Sequence, residues 1–287
     1  MELCNQRDIE RLLKKHGFRF SKAMGQNFLI DARVPEKIAS GAGIDGSFGV
    51  LEIGPGIGAL TGALSRRAAK VLSVELDKRL LPLLEETLAD SANVRIIGGD
   101  IMKLDIAETV TSEMPGLRYA VCANLPYNIT TPVITALIEA KIFETMTVMV
   151  QREVALRMCA APGTADYGSF SVYIQYHAAP EILFDVPPES FTPRPKVTSS
   201  VITMRLRESP PADVDDEALF FRVVRASFAQ RRKTLVNGLE SAFGGRLNKN
   251  ELKQAVTDCG FDAMTRGETL DITGFASVAR RLGEMLG

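Results

Sequence analysis

Short apolar runs separated by helix-length stretches recur through the first two thirds of the chain, and this alternation restricts the fold more than any other feature. Val50-Leu51-Glu52-Ile53 is followed by a Gly-rich turn and a helical pattern over 60–64, and Val71-Leu72-Ser73-Val74 precedes a second over 78–88. Val94 to Ile97, Tyr119 to Ala123 and Met146 to Val150 continue the series, with a helical pattern over 132–142 between the last two. The βαβα order predicts a parallel, doubly wound α/β sheet. Glu52, Glu75, Asp100 and Asn124 each lie in or at the end of one run, at intervals of 23, 25 and 24 residues. One βα unit takes roughly that many residues. Four polar side chains are therefore expected along the carboxyl edge of the sheet, where ligands bind in this class of fold.

The character changes at Glu208-Ser209-Pro210-Pro211-Ala212-Asp213, a Pro-containing acidic stretch that reads as a linker. Beyond it the patterns are helical, so the expected division is an α/β domain over 1–210 and a small all-α domain over 211–287. A chain of 287 residues, 46% hydrophobic and 24% charged, suits a folded two-domain protein. With a net charge of −1, any surface for nucleic acid must be a local patch rather than a global field. Cys4, Cys122, Cys159 and Cys259 are scattered without a C-x-x-C pair, and only His16 and His177 could join them. Neither a zinc site nor a disulfide framework is expected. The first eight residues are polar and no 18-residue apolar run occurs, which predicts a soluble, cytoplasmic protein.

Two turns carry chemistry. Glu52-Ile53-Gly54-Pro55-Gly56-Ile57-Gly58 joins a strand to a helix, and its glycines let the backbone approach a ligand without Cβ clash. The spacing is G-x-G-x-G, not the G-x-G-x-x-G of dinucleotide enzymes. Glu75, 21 residues after Gly54, stands where an acid can bind ribose hydroxyls, so the pair suits an adenosine-containing cofactor. Asn124-Leu125-Pro126-Tyr127 follows another apolar run. Pro126 stops the strand and fixes its own φ, leaving the Asn124 side chain and nearby carbonyls to accept from an exocyclic amine beside a Tyr ring. Taken alone, an ordinary strand-end turn is the alternative reading.

Together with Gly99-Asp100, these motifs resemble those of class I S-adenosylmethionine-dependent methyltransferases and, more narrowly, of the ribosomal RNA adenine-N6 dimethyltransferases. Lys22 to Leu29 is similar to that family's N-terminal cofactor motif, and Phe191 to Ser200 to its late F-x-P-x-P-x-V-x-S motif. Ala226 to Leu235 resembles a motif of the bacterial small-subunit branch, with Arg194 a mild departure where that branch often has Pro. The resemblance implies a Rossmann-like domain with a small helical C-terminal domain. It also implies that the protein transfers methyl groups from S-adenosylmethionine to two adjacent adenosines near the 3′ end of 16S rRNA, within the small subunit or its precursor, acting as a monomer. By it, Asn27 and Leu29 close over the cofactor, Gly54 contacts it by backbone, Glu75 holds the ribose, Asp100 accepts from the cofactor adenine and Asn124 borders cofactor and substrate. Asn124, Leu125, Tyr127 and Phe191 are the implied catalytic set, the two rings as stacking faces. The sister class acting on 23S rRNA and a non-catalytic nucleic-acid binder share most of these motifs.

Arg222, Arg225, Arg231, Arg232 and Lys233 fall within 12 residues free of acids. Helical spacing would put Arg225 and Arg232 on one face, a local basic patch for RNA phosphates; a solvated helix face is the alternative. Lys14, Lys15, His16, Arg19 and Lys22 form a second basic segment, in an expected mobile N-terminal arm. Residues 162–168, bordered by Arg152, Arg157 and Tyr167, read as a surface loop.

Overall fold

The computed structural model describes residues 2–21, 25–230 and 232–287. Helix α1 (Gln6–Lys15), the short strand β1 (Phe28–Leu29) and helix α2 (Arg33–Gly41) come first. The repeats follow as β2 (Phe48–Ile53), α3 (Ala59–Ser65), β3 (Lys70–Glu75), α4 (Leu81–Thr87), β4 (Val94–Gly98), α5 (Ile106–Glu113), β5 (Arg118–Asn124), α6 (Thr130–Glu139) and β6 (Thr145–Gln151). Helices α7 (Arg152–Met158) and α8 (Ser169–His177) lead to β7 (Ala178–Val186), β8 (Phe191–Thr192) and β9 (Ser199–Leu206). Helices α9 (Glu217–Phe228), α10 (Leu235–Phe243), α11 (Lys249–Asp258) and α12 (Ile272–Leu286) complete the order.

The main sheet runs β4-β3-β2-β5-β6-β9-β7. Its first five strands are parallel, in registers such as Leu51 opposite both Leu72 and Val121. The expectation of a parallel sheet holds for these five; β9 is antiparallel to β6, with Val148 opposite Ile202. Strand β2 is buried along its whole length, as an inner strand covered on both faces must be. One core cluster joins Ile38 of α2, Leu64 of α3, Val50, Val71, Ala120 and Val201. Another joins Ile9, Leu12 and Leu13 of α1 to Leu83 and Leu84 of α4.

That second cluster corrects the expectation of a mobile N-terminal arm. The Asn5 side chain caps α1 by accepting from the Arg7 and Asp8 amides. The 9, 12, 13 spacing presents one apolar stripe, and Glu86 receives both Lys15 Nζ (2.7 Å) and His16 Nε2 (2.8 Å). Lys22 lies outside the described residues.

The chain divides into two compact units, Met1–Ala155 with Glu181–Leu206, and Leu156–Pro180 with Arg207–Gly287. The assignment of 156–180 to the first domain is thereby corrected. Tyr167, Val172 and Tyr176 are buried among Phe220, Leu239 and Phe275, and the Tyr167 hydroxyl donates to the Leu270 carbonyl at 2.9 Å. Residues 162–166 form the expected exposed loop, and Tyr167 at its end is anchored in this core. Within this unit a Cβ on Gly238 would lie 2.6 Å from the Ala226 carbonyl oxygen, so α10 crosses α9 at a distance only glycine allows.

Candidate active site

The carboxyl ends of β2, β3 and β5 open on a cleft of about 1040 Å³, partly open to solvent. Of the residues expected to act in cofactor binding and catalysis, Asn27, Leu29, Gly54, Glu75, Asp100, Asn124, Leu125 and Tyr127 all line it. The sheet brings them together because each polar side chain ends its strand on the same edge.

The Gly loop follows β2 directly. Gly54, Gly56 and Gly58 have φ of 68°, 62° and 89°, left-handed values that any side chain would strain. The ring of Phe28 lies 3.2 Å from where a Cβ on Gly56 would stand, so the loop passes close under β1. The Gly54 amide is held by the Val74 carbonyl at 2.9 Å. Opposite, Glu75 is buried, and its oxygens accept from the Gly56 amide (3.3 Å) and the Asp77 amide (2.8 Å). Burial raises its pKa, against the pull of those amides. A carboxylate so oriented suits paired ribose hydroxyls. Asp100 lies at the end of the neighbouring unit and spends one oxygen on the Met102 amide at 3.0 Å.

Glu52 is wholly buried and belongs to the frame. Its Oε2 accepts from Thr61 Oγ1 (2.6 Å) and Ser73 Oγ (2.7 Å), tying β2 to α3 and β3. Burial pushes its pKa up to about 7 despite those two donors.

At the end of β5, the Leu125 amide donates to the Met149 carbonyl (3.2 Å), which fixes the turn to β6. The Asn124 Nδ2 reaches toward the Asn27 carbonyl at 3.5 Å. Among the described residues, neither Asn124 Oδ1 nor the Leu125 carbonyl receives a hydrogen bond, so two acceptors stand at the rim of the cleft. Tyr127 is half-buried, and its hydroxyl shares a 2.6 Å hydrogen bond with Ser199 Oγ, which sets the ring's edge against β9. Burial raises its pKa, so the phenol stays neutral.

Phe191 does not reach the cleft. It is 2% exposed and packs with Leu29, Ile38, Val186 and Val201 while pairing Leu29 across β1–β8. Where an accessible stacking face was expected, this structure buries the ring and pairs its strand with β1. Asp77, which the sequence reading passed over, is a buried carboxylate at the cleft edge. Its place two residues after Glu75 was the available signal.

The expected helical RNA face is also corrected. Helix α9 ends at Phe228, so of the expected basic set it carries only Arg222 and Arg225, both exposed. Arg232 and Lys233 lie exposed in the connection to α10, Lys233 with its amide on the Gln230 carbonyl (2.8 Å). Arg231 lies outside the described residues. Arg222 is engaged elsewhere, stacked 4.4 Å over the Phe243 ring. No group of three or more His, Cys, Asp or Glu side chains among the described residues could hold a metal, and none of their helices is long and apolar enough to cross a membrane.

Residues 17–275 match the model of the ribosomal RNA adenine dimethylase family. A ribosomal RNA small subunit methyltransferase A from Geobacillus kaustophilus is 47% identical, with 97% of this chain and 96% of that protein covered. One of the same name from Listeria monocytogenes is 46% identical over 96% of this chain and 95% of its own. Among solved structures, a dimethyladenosine transferase from Plasmodium falciparum superposes with a TM-score of 0.75 at 24% identity, covering 90% of this chain and 98% of that one. The 23S rRNA methyltransferase ErmE superposes with a TM-score of 0.67 at 26% identity, covering 89% and 99%. A match over nearly the whole chain, on a fold and a strand-edge cleft of this kind, places the protein in the ribosomal RNA adenine dimethylase family.

Proposed function

We propose that the protein transfers methyl groups from S-adenosylmethionine to N6 of two adjacent adenosines near the 3′ end of 16S rRNA, within the small subunit or its precursor. The observation that carries the chemistry is the pair of acceptors at the end of β5, Asn124 Oδ1 and the Leu125 carbonyl, facing the same cleft as Glu75. The residues present fit the cofactor. Glu75 accepts from ribose hydroxyls, the Gly loop admits the chain beside Gly54, and Asp100 keeps one oxygen for an adenine amine. Bound there, the cofactor supplies an electrophilic methyl group.

The residues of this chain have to prepare the nucleophile, because the N6 lone pair of adenine is delocalised into the ring. Asn124 Oδ1 and the Leu125 carbonyl accept the two amine hydrogens, which favours a tetrahedral nitrogen and aims its lone pair. Alignment of this kind supplies several kcal/mol of barrier reduction. No strong base is required, since the methylated nitrogen is acidic and its proton leaves afterwards. The base must come from a loop or be extruded, and Tyr127 offers the ring on which it stacks, worth roughly 1–3 kcal/mol. Arg225, Arg231, Arg232 and Lys233 are assigned to the RNA backbone.

The small-subunit assignment draws on the relatives' names and on the motif from Phe228 to Lys233. The likeness to ErmE makes 23S rRNA the competing substrate. A monomer suits a site lined by residues of one chain, and the cytoplasm suits an rRNA substrate. The test is to incubate the purified protein and labelled cofactor with small and large subunits lacking adenine methylation, then map the product by mass. Two adjacent dimethyladenosines near the 3′ end of 16S rRNA are expected. Label confined to 23S rRNA would reverse the assignment, and failure to label either RNA would remove the enzymatic reading.

A further inference from the structure

Asp77 is 5% exposed, and the proposed chemistry makes no use of it. Both its oxygens are occupied. Oδ2 accepts from Gln26 Nε2 (2.8 Å) and from Arg79 Nη2 (2.6 Å), and Oδ1 accepts from the Arg79 amide (3.1 Å) and Nε (2.8 Å). Its own amide donates to Glu75 Oε1 at 2.8 Å. Arg79 in turn stacks 5.1 Å over the Phe18 ring. Gln26 is held at its other end too, with Oε1 accepting from the Ser21 amide at 3.2 Å.

One hydrogen-bonded line therefore runs from the carboxylate assigned to the ribose, through Asp77 and Gln26, to the next residue, Asn27. Beyond Asn27, the Phe28 ring lies over Gly56 and against Phe20, 5.1 Å between centroids. The Asn27 carbonyl meets the Asn124 side chain across the cleft. With its acceptors used up inside the protein, Asp77 cannot itself take the cofactor's hydroxyls; what it can do is fix the segment that closes the cleft. A buried carboxylate whose fixed donors are two different chain segments is suited to this, because losing either donor leaves charge unsatisfied.

We propose that Asp77 and Gln26 are positioning residues for the cofactor, holding Gly25 to Leu29 across the cleft and coupling that segment to Glu75. The inference rests on the assignment of S-adenosylmethionine to this cleft. Its consequence is specific: the pair acts first on how tightly the cofactor is held, and reaches the acceptor at Asn124 only through the long 3.5 Å contact with the Asn27 carbonyl.

The test is steady-state methylation of RNA by the full chain with Gln26→Ala, Asp77→Asn and the double variant, together with direct titration of S-adenosylmethionine. Gln26→Ala should raise KM for the cofactor 5- to 20-fold with kcat within threefold of the parent and KM for RNA unchanged. The double variant should be no worse than the more damaged single one, because both remove the same link. An unchanged cofactor KM in Gln26→Ala, a fall in kcat alone, or fully additive effects in the double variant would overturn the proposal. Should Asp77→Asn fail to fold, the Gln26→Ala result decides alone, since that side chain is only half-buried. A parent protein that does not bind S-adenosylmethionine would instead overturn the cofactor assignment itself, a result distinguishable from the other three.

Discussion

Single residues in this site divide by what holds them. Asn124 has an amide nitrogen already near the Asn27 carbonyl and an oxygen left to accept, so its replacement removes alignment rather than fold. Asn124→Ala should leave the cofactor dissociation constant within tenfold while lowering kcat at least 100-fold, in calorimetry and single-turnover methylation respectively. Undiminished turnover would dismiss the amine-acceptor role. Glu52 makes a different prediction. Burial pushes its pKa up to about 7 in the native protein, above the ordinary glutamate value of 4.5 that holds when the chain is unfolded. The native protein therefore binds more protons than the unfolded one between those limits, and this contribution to stability, whole below pH 4.5, is lost as pH rises toward 7. The loss is on the order of 3 kcal/mol. Denaturant titrations from pH 4 to 8 should show Glu52→Gln gaining stability relative to the parent as pH rises; a constant difference would remove the titration. At this scale the edge residues were legible in the sequence, because a carboxylate or Asn closing an apolar run is visible from its immediate neighbours. The link from Gln26 to Asp77 spans 51 residues and joins two irregular segments, so no periodicity announces it. The burial of Phe191 is hidden for a related reason: a motif says which residue is present, while burial depends on how β8 lies against β1.

Elements repeat that division. Strands β2, β3, β5 and β6 are legible because they are inner strands with continuous apolar runs, and the edge strand β4 because its run is short and apolar; β7, at the other edge, is buried only at its two ends and carries Pro180, so no such run marks it. Helix α1 carries the charge of a loose arm, yet Ile9, Leu12 and Leu13 form the stripe that docks it. The end of α9 at Phe228 carries no Gly or Pro to mark it, and the close approach of α10 at Gly238 is equally silent in sequence. Beyond that end Arg232 and Lys233 stand on a connection, free of ion pairs among the described residues. Replacing Arg231, Arg232 and Lys233 together with Gln should weaken binding to small-subunit RNA at least tenfold at 0.1 M salt and reduce the slope of log K against log salt by about 2–3. A slope equal to the parent's, measured by filter binding over a salt series, would return these side chains to solvent.

At the scale of the whole molecule, the second unit is made of two separate stretches of chain, and only the later one was recognisable from its composition. The earlier stretch, 156–180, sits between strands of the first unit in sequence, so a boundary drawn at the Pro-rich linker cuts one core in half. A fragment ending at residue 206 should therefore expose Tyr167, Val172 and Tyr176, bind a hydrophobic dye and self-associate. A fragment that also replaces 156–180 with a short polar loop should do neither; equal dye binding by the two would refute this division. The same interleaving has a meaning in time. During synthesis the first unit has all its strands once residue 206 has emerged, but residues 156–180 must then wait for Phe220, Phe275 and Leu282. At roughly 5–20 residues per second the wait lasts about 4–16 s. For that interval the nascent chain carries a finished sheet and an orphaned aromatic segment, which makes it a client for whatever shields apolar surface at the mouth of the ribosome.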